Sequence, residues 1–329
     1  VWRGGADRLM RVLVTGATGF LGGRCLPALK ALGLDPVGTG RQSALAPSGF
    51  DFVQADLADE AGLEAVGPVE AVVHCAALSS PWGRRADFER ANVAATERLL
   101  AWSERVGVKR FVHVSTPALY FDFHDQFDLD ETARSPRPIN LYAETKGRAE
   151  ELVRRAGFET VILRPRAIYG PGDQALLPRL ESAIEARPLP LLRGGKAVTN
   201  LTHVDDVVRA ITAALAAQSL PASSVFNIAG EEAVSLRALV EKIADRRALN
   251  LRWRSLPVPL VMGASGALEA VYRALSLPGE PRVTRYAAGI FAYSLTLNTS
   301  AAREQLGWQP EISLDQGFDS VFEQQGSRL

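Results

Sequence analysis

The segment TGATGFLG, residues 15–22, carries the strongest fold signal in this chain. It follows an apolar run, RVLVT (11–15), and leads directly into the helical pattern RCLPALKAL. Gly16, Gly19 and Gly22 permit a tight turn, close approach of the backbone to a pyrophosphate, and close packing of the helix, whose N-terminal N–H groups can bind phosphate oxygens. Glycines at this spacing can also form a plain strand-to-helix turn. Because a strand, the glycines, a helix and a second strand occur in order, the context predicts a dinucleotide-binding site.

Composition and charge narrow the class of protein. The 329 residues are 47% hydrophobic and 22% charged, which predicts a soluble globular protein of one large or two smaller domains. Thirty-seven basic residues balance thirty-seven acidic ones, so no net field attracts nucleic acid or an anionic membrane, and a small neutral or mildly charged substrate is expected. Cys25 and Cys75 cannot build a disulfide framework or a thiolate metal site alone, which favours a cytoplasmic location.

Apolar strands alternate with amphipathic helical segments through the first half of the chain. The predicted strands are RVLVT (11–15), DPVGTG (35–40), FDFVQA (50–55), EAVVHC (70–75), RFVHVS (110–115), TVILRP (160–165) and, later, SVFNIA (224–229). Strands that alternate with helices imply parallel pairing. We therefore predict an α/β fold with a doubly wound parallel sheet (a Rossmann fold) and a smaller mixed C-terminal substrate-binding domain.

A change of pattern after Gly170 sets the predicted domain boundaries. The expected organisation is an N-terminal extension at 1–9, a dinucleotide-binding domain at 10–170 with a returning segment at about 198–230, and a substrate-binding cap at 171–197 and 231–329.

Two segments bear on whether the chain carries a targeting signal or contacts a membrane. Residues 1–9 contain no apolar run and do not resemble a signal peptide, so Met10 is expected to be the natural first residue. The apolar stretch at 256–268 contains two prolines and is too short to span a bilayer. It is expected to form a substrate lid or a buried helix, with a monotopic membrane contact as the other interpretation.

The end of the second predicted strand bears on which cofactor is used. NAD sites usually place an acidic residue there to bind the adenine ribose, whereas this chain reads VGTGRQS, with Gly40 at that place followed by Arg41. The absence of a carboxylate removes repulsion against a 2′-phosphate, and a guanidinium binds phosphate through charge-assisted hydrogen bonds. This favours NADP. The alternative is that Arg41 is a solvated loop residue and the site takes NAD.

The segment LYAETK, residues 141–146, places a phenol and an ammonium four residues apart. On a helix, Tyr142 and Lys146 share one face, and a nearby cation favours the phenolate, so Tyr142 is a candidate acid/base at neutral pH. An exposed aromatic and a solvated lysine are the plainer alternative. Ser115 and Thr116 follow a predicted strand and are expected at the carboxyl edge of the sheet, where such folds bind ligands.

Together these motifs resemble the extended short-chain dehydrogenase/reductase superfamily. TGATGFLG is similar to its cofactor turn, YAETK to its Tyr-x-x-x-Lys motif, STPALY to its hydroxyl-bearing strand end and LRPRAIYGPGD to the strand after the catalytic helix, and the resemblance runs from about residue 10 to the end. It implies that Tyr142 is the general acid/base, that Lys146 lowers its pKa and binds the ribose, and that Thr116 binds the substrate oxygen, with Ser115 as its substitute. The implied cofactor-binding residues are Gly16, Thr18, Gly19, Phe20, Leu21, Gly22, Arg41, Asp56, Leu57, Ala76, Ala77, Tyr142, Lys146 and Pro165.

The superfamily includes sugar-nucleotide epimerases and dehydratases as well as alcohol/ketone oxidoreductases. Dehydratases place Asp-Glu after the catalytic Thr, but Pro117 follows here. Many sugar-nucleotide members carry an arginine before the Val-Asp-Asp segment to bind the diphosphate, where this chain has Thr199 and Asn200. Arg193 and Lys196 could bind the diphosphate in its place. The segment HCAALSSPWG and the C-terminal PRVTRYAAGIFAYSLTLNTSAAREQLGWQP resemble the 3β-hydroxysteroid dehydrogenase and 2-alkyl-3-oxoalkanoate reductase branch.

These observations predict an NADP-dependent oxidoreductase, with NAD as the other cofactor, that moves hydride between nicotinamide and a secondary alcohol or ketone of a hydrophobic substrate. A sugar-nucleotide 4-epimerase and a non-catalytic NADP sensor are the alternatives. The resemblance alone implies a homodimer through helices 87–106 and 142–156. No metal site is expected, because Asp205, near His203, is interpreted as a helix cap.

Overall fold

The computed structural model describes residues 9–186 and 188–326 of the chain. Apart from residue 9, the expected N-terminal extension lies outside these ranges. The strands are β1 (Arg11–Thr15), β2 (Asp35–Gly40), β3 (Asp51–Gln54), β4 (Ala71–His74), β5 (Arg110–Val114), β6 (Gln126–Leu129), β7 (Glu159–Pro165), β8 (Ile168–Tyr169), β9 (Leu189–Leu191), β10 (Val198–Asn200), β11 (Thr202–His203), β12 (Ser223–Ile228), β13 (Ala233–Ser235), β14 (Trp253–Ser255) and β15 (Leu295–Leu297).

The helices alternate with the strands of the first half and dominate the second half. They are α1 (Phe20–Ala31), α2 (Glu60–Glu64), α3 (Arg85–Phe88), α4 (Ala95–Val106), α5 (Leu141–Arg154), α6 (Leu176–Ala186), α7 (Val204–Ala216), α8 (Leu236–Arg246), α9 (Val258–Ala274), α10 (Arg285–Ala292), α11 (Ser300–Leu306) and α12 (Leu314–Gly326). No helix in the described ranges combines the length and apolarity that crossing a bilayer would require.

The main sheet has seven strands in the order β12-β7-β5-β4-β1-β2-β3, and every neighbouring pair is parallel. The order reverses at β1, whose two neighbours are β2 and β4. The chain connections that follow β1 and β4 run toward opposite edges of the sheet. A crevice therefore forms between the carboxyl ends of these two strands. The seven strands coincide with the seven predicted from sequence, and the predicted fold class is confirmed.

Successive side chains of the central strands feed two cores, one on each face of the sheet. Val12 and Val14 are fully buried in a core with helices α1 and α7, whereas Leu13 points into the core formed with α4. Parallel strands covered by helices on both faces bury every position, which explains why RVLVT and AVVH are continuous apolar runs rather than alternating ones.

A second, four-stranded sheet in the order β13-β10-β15-β6 stands beyond the carboxyl ends of the main sheet's strands. It is mixed, since β10 pairs antiparallel with β13 and parallel with β15. β15 in turn pairs with β6, which comes from the middle of the first half of the chain. The smaller mixed unit predicted for the C-terminal part is therefore built partly from residues 126–129, inside the range assigned to the dinucleotide-binding domain.

Candidate active site

The turn between β1 and α1 requires glycine at specific positions. Gly16 has φ +68°, and a Cβ atom there would lie 2.9 Å from the backbone nitrogen of Ala76 at the end of β4. A Cβ at Gly22 would overlap the carbonyl oxygen of Gly16. The amide of Gly19 donates to that same carbonyl at 2.9 Å. The backbone of the turn therefore packs closely against the end of β4 and forms a shallow concave surface.

Helix α1 begins at Phe20, and no side chain caps its N-terminus. Its N-cap is Gly19, which has no side chain to accept from the first N–H groups, and the first turn contains no acidic residue. Such a terminus, at the open side of a glycine turn, is suited to a phosphate group because N–H donors and the helix dipole both point at it. The chemistry of the donors present therefore fits a dinucleotide pyrophosphate.

The adenine-ribose end of the crevice lies at the tips of β2 and β3. A Cβ at Gly40 would lie 3.0 Å from Cγ2 of Thr18, so the turn itself crowds the place where NAD sites carry an acid. Arg41 is exposed, and Asp56 accepts hydrogen bonds from the amide of Ala58 at 2.9 Å and from Arg90 at 3.0 Å. Burial acts to raise the pKa of Asp56, but these bonds outweigh it and leave the pKa below its usual value.

Tyr142 and Thr116 meet at the carboxyl edge of the main sheet. Asn140 caps α5 by accepting from the amide of Ala143 at 2.8 Å, which fixes Tyr142 in the first helical turn. Thr116 ends the strand run of β5 and starts a short turn of 3₁₀ helix at Pro117–Leu119. The side chains of Thr116 and Ser79 lie close enough to the Tyr142 hydroxyl to act on its pKa, which both of them lower. A phenol flanked by two hydroxyls can bind and protonate a carbonyl oxygen.

The glycine turn after β1, Thr116 after β5 and Tyr142 on α5 all lie within the part of the chain that a family model matches. The model of the NAD-dependent epimerase/dehydratase family matches residues 12–229. The chain belongs to this family. The match confirms the resemblance predicted from the motifs, and it covers the main sheet from β1 to the end of β12.

Curated relatives within the family match almost the whole chain. A protein of Escherichia coli named YbjS, whose function is uncharacterized, is 35% identical over 95% of this chain and 96% of its own length. The 4-hydroxy-2-methyl-3-oxo-4-farnesyl-3,4-dihydroquinoline-1-oxide ketoreductase of Stigmatella aurantiaca is 32% identical over 95% of this chain and 96% of its own length. A 2-alkyl-3-oxoalkanoate reductase of Stenotrophomonas maltophilia is 30% identical, covering 94% of this chain and 97% of that protein.

Solved structures with a similar fold include sugar-nucleotide proteins. MoeE5 in complex with UDP-glucuronic acid and NAD superposes with a TM-score of 0.75 at 25% identity, covering 97% of this chain and all of that one. Two of the sequence relatives are thus named as reductases, whereas this structural neighbour is described in complex with a sugar nucleotide and NAD.

The predicted interaction between Lys146 and Tyr142 is not present in the structure. The Lys146 ammonium donates to the carbonyl of Val114 at 2.7 Å and lies 3.1 Å from Nε2 of His113, and within the described ranges no hydrogen bond joins it to Tyr142. Burial lowers the pKa of Lys146 to about 8. Burial also raises the pKa of Tyr142, and the nearby Ser79 and Thr116 offset this rise only in part. This is opposite to the lowering expected from a neighbouring cation.

Ser115, the predicted substitute for Thr116, does not join the site. Adjacent strand residues point to opposite faces, so Ser115 is directed away from Tyr142 and is 4% exposed. Its hydroxyl lies beside Glu150, which is held by the buried Arg164 through hydrogen bonds of 2.8 and 2.6 Å. Ser79, by contrast, was not predicted as a site residue. The Ser-Ser pair after HCAAL was the only available signal.

The other predicted cofactor residues lie along the crevice. Phe20 and Leu21 form the first turn of α1, Ala76 and Ala77 extend beyond β4, and Pro165 ends β7. Leu57 is a core residue, 7% exposed and packed among the apolar side chains under β4 and α4.

Asn92 supports the backbone of the crevice. It lies in a π-helical segment, Glu89–Ala94, and its side-chain oxygen accepts from the amide of Leu78 at 2.7 Å. Its side-chain nitrogen donates to Oγ1 of Thr145 on the catalytic helix at 3.0 Å. The loop that carries Ser79 and the helix that carries Tyr142 are thereby joined through one buried amide.

The N-cap of helix α7 is His203 and not the predicted Asp205. Nδ1 of His203 accepts from the amide of Asp205, whereas Asp205 lies in the first turn and pairs with Arg24 at 3.0 Å. The sequence prediction of an Asp205 cap is therefore wrong. A His ring is long enough to reach the second amide here, and the carboxylate is drawn away by the arginine. Within the described residues no group of His, Cys, Asp and Glu side chains could hold a metal ion.

The apolar segment near residue 260 forms α9, a surface helix beside the active-site loop. Of its seventeen residues only Ser265 and Glu269 are buried, and Leu260 is 60% exposed. Near its C-terminus, Tyr272 stacks edge-on against Trp82 at 6.3 Å, and Arg273 lies over the same indole at 4.8 Å. Trp82 and Ser79 share one loop. An apolar helix therefore borders the entrance to the Tyr142 site.

Proposed function

We propose that the protein is an NADP-dependent oxidoreductase that interconverts a ketone and a secondary alcohol on a hydrophobic substrate. The observation that carries the proposal is the meeting of Tyr142 with Thr116 and Ser79 at the strand edge next to the glycine turn. A bound nicotinamide would supply the hydride. All remaining steps can be assigned to side chains of this chain.

In the reducing direction, the substrate carbonyl oxygen accepts a hydrogen bond from the hydroxyl of Thr116. As a C–H bond forms at the carbonyl carbon, the C–O π electrons move to oxygen, and Tyr142 gives its proton to the developing alkoxide. A raised phenol pKa keeps that proton on Tyr142 at neutral pH, ready for donation. Ser79 acts to lower the pKa of the phenol and so stabilises the phenolate that remains.

NADP is favoured over NAD by the tips of β2 and β3. Gly40 presents no carboxylate, and Thr18 leaves little room for one. Arg41 is exposed and forms no ion pair with a described residue, whereas Arg90 is already engaged by Asp56 and Asp59. Arg41 is thus the cation available to a 2′-phosphate.

The hydrophobic substrate is supported by the apolar surface of α9 beside the Trp82 loop. Two relatives named as a ketoreductase and an oxoalkanoate reductase agree with this choice. Of the two residues predicted as a possible grip for a sugar diphosphate, Arg193 and Lys196, Arg193 pairs with Asp125 at 2.6 Å. Asn200, which stands where many sugar-nucleotide members carry an Arg-Asp pair, binds the backbone of Gly230 and Leu297. These contacts disfavour the 4-epimerase.

The decisive experiment combines cofactor titration with a substrate comparison. Calorimetric titration with NADPH and NADH should give tighter binding of NADPH, and apolar 3-oxo acids or sterols should change the cofactor absorbance at about 340 nm. Cofactor that copurifies with the protein, together with binding of UDP-glucose, would instead establish the epimerase. Tight NADPH binding without turnover of any carbonyl would establish a sensor. The homodimer remains a prediction, which sedimentation equilibrium can test.

A further inference from the structure

Arg166 follows β7 directly and is held rigidly at the carboxyl edge of the main sheet. Its backbone amide donates to the carbonyl of Ile228 at 2.9 Å, and its own carbonyl accepts from the hydroxyl of Thr202 at 2.6 Å. The next residue, Ala167, has φ +43°, a left-handed conformation that non-glycine residues rarely adopt. The chain thus turns sharply here, at a cost in backbone strain, and the position of Arg166 is fixed from both sides.

The side chain of Arg166 is buried without a counter-ion. It is 8% exposed, and its one hydrogen bond within the described ranges runs from Nε to Oγ1 of Thr199 at 3.0 Å. No carboxylate of a described residue lies within ion-pair distance of it. Arg164, two residues earlier, shows the usual solution, since two hydrogen bonds join it to the buried Glu150. An unpaired charge in so buried a position is costly, and an anion from outside the chain would lower that cost.

Arg166 follows β7, which pairs with β5, and the carbonyl of Val114 at the end of β5 accepts from Lys146, one helical turn after Tyr142. Arg166 and Tyr142 both act electrostatically on the hydroxyl of Tyr286: the cation lowers the pKa of that phenol, and Tyr142 raises it. Tyr286 belongs to α10, the helix that packs against α9, and its ring stacks edge-on against Phe121. Burial lowers the pKa of Arg166 itself, as expected for a cation that lacks a partner.

We propose that the terminal N–H groups of Arg166 bind the carboxylate of the substrate, which makes the substrate a 3-oxo or 3-hydroxy acid with an apolar chain. The inference rests on the proposed ketone/alcohol chemistry. A carboxylate two carbons from the reacting carbon is a compact planar anion, which matches the two parallel N–H groups of a guanidinium. The apolar remainder then extends toward α9.

The test compares an acid with its methyl ester, which has the same chain and no charge. The probes are 3-hydroxydodecanoate and methyl 3-hydroxydodecanoate, titrated calorimetrically into protein saturated with NADPH, where the alcohol cannot be oxidised. The same pair is then assayed for turnover with NADP⁺. The proteins are wild type, Arg166→Met, Arg166→Lys and the control Arg193→Met, which removes an arginine already paired with Asp125.

We expect wild type and Arg193→Met to bind the acid more tightly than the ester. Arg166→Met should lower this acid-over-ester ratio by about 10- to 100-fold, the range for loss of a charged hydrogen bond, and Arg166→Lys should restore part of it. An unchanged ratio in Arg166→Met, or a wild-type protein that prefers the ester, would overturn the proposal. So would tight UDP-glucose binding that Arg166→Met abolishes, because the anion would then be a diphosphate.

Failure of the proposed reaction gives a different result. If the acid binds through Arg166 but neither probe reduces NADP⁺, the carboxylate site stands and the oxidoreductase assignment fails. If the ester and the acid are both oxidised with equal affinity, the reaction stands and the role of Arg166 fails.

Discussion

Acidification should destabilise the protein strongly through two histidines in the main sheet. His74 and His113 lie side by side on β4 and β5 with ring centroids 5.2 Å apart, and both are essentially unexposed. His74 is bonded to the hydroxyls of Thr15 and Thr96 at 2.8 and 3.0 Å, and His113 lies against the ammonium of Lys146. A proton added to either ring must enter a dry site beside a cation.

The magnitude follows from the pKa of each ring in the folded and unfolded chains. Burial, reinforced by the charge of Lys146, lowers the pKa of His74 from 6.5 to about 3 and that of His113 well below 6.5. Below pH 6.5 the unfolded chain therefore binds protons that the folded chain does not, and stability falls as the pH falls toward the folded pKa. At pH 5, about 1.5 pH units below the unfolded value, His74 costs about 2 kcal/mol, and His113 adds a loss of the same sign.

Urea unfolding followed by the fluorescence of the five tryptophans measures this loss. The free energy of unfolding would be compared at pH 7.5 and pH 5.0 for wild type, His74→Gln and His124→Gln, whose ring is 81% exposed. His74→Gln should lose about 2 kcal/mol less between the two pH values than wild type, whereas His124→Gln should lose as much as wild type. If His74→Gln keeps the full wild-type pH dependence, His74 is not held neutral and the reasoning is refuted.

Three further predictions concern the candidate site. Tyr142→Phe should reduce turnover by about 10²- to 10⁴-fold, the usual contribution of a general acid, and leave the Kd for NADPH unchanged in calorimetry; retention of most activity would exclude the assigned role. Arg41→Ala should weaken NADPH about 10-fold and NADH little, because only NADPH carries the 2′-phosphate, and equal losses would show that the cofactor assignment is wrong. Because the pKa of Lys146 is about 8, its ammonium loses charge as the pH rises from 7 to 9, so NADPH affinity should fall over that range in wild type and stay flat in Lys146→Met; a flat wild-type profile would contradict this.

The sequence predicted those features that depend on local pattern. Several strands of the main sheet, such as RVLVT and AVVH, carry apolar runs between turn residues, and the glycine turn is required by backbone geometry within one segment. Thr116 and Tyr142 were expected together because parallel strands end at one edge, and the structure brings them together.

The features that depend on distant contacts were not predictable in this way. The direction of the Lys146 side chain is set by the carbonyl of Val114 and the ring of His113 on another element. Ser79 reaches Tyr142 because Asn92 holds its loop, through a contact between residues far apart in sequence. The residues next to Arg166 in the sequence do not show that no carboxylate of a described residue lies within ion-pair distance of it. Local spacing contains none of this information.

The pairing of β6 with β15 constrains how the chain can be made. β6 ends at Leu129, and its partner in the second sheet begins at Leu295, so about 165 residues must be synthesised before the pair can form. At about 5 to 20 residues per second this takes about 10 to 30 s. During that time β6 lacks this partner, and the second sheet around Phe127 is incomplete. The main sheet can begin to fold early on the ribosome, whereas the second sheet is completed only near the end of translation. Nascent chains of this protein should therefore acquire affinity for cofactor before they acquire affinity for substrate.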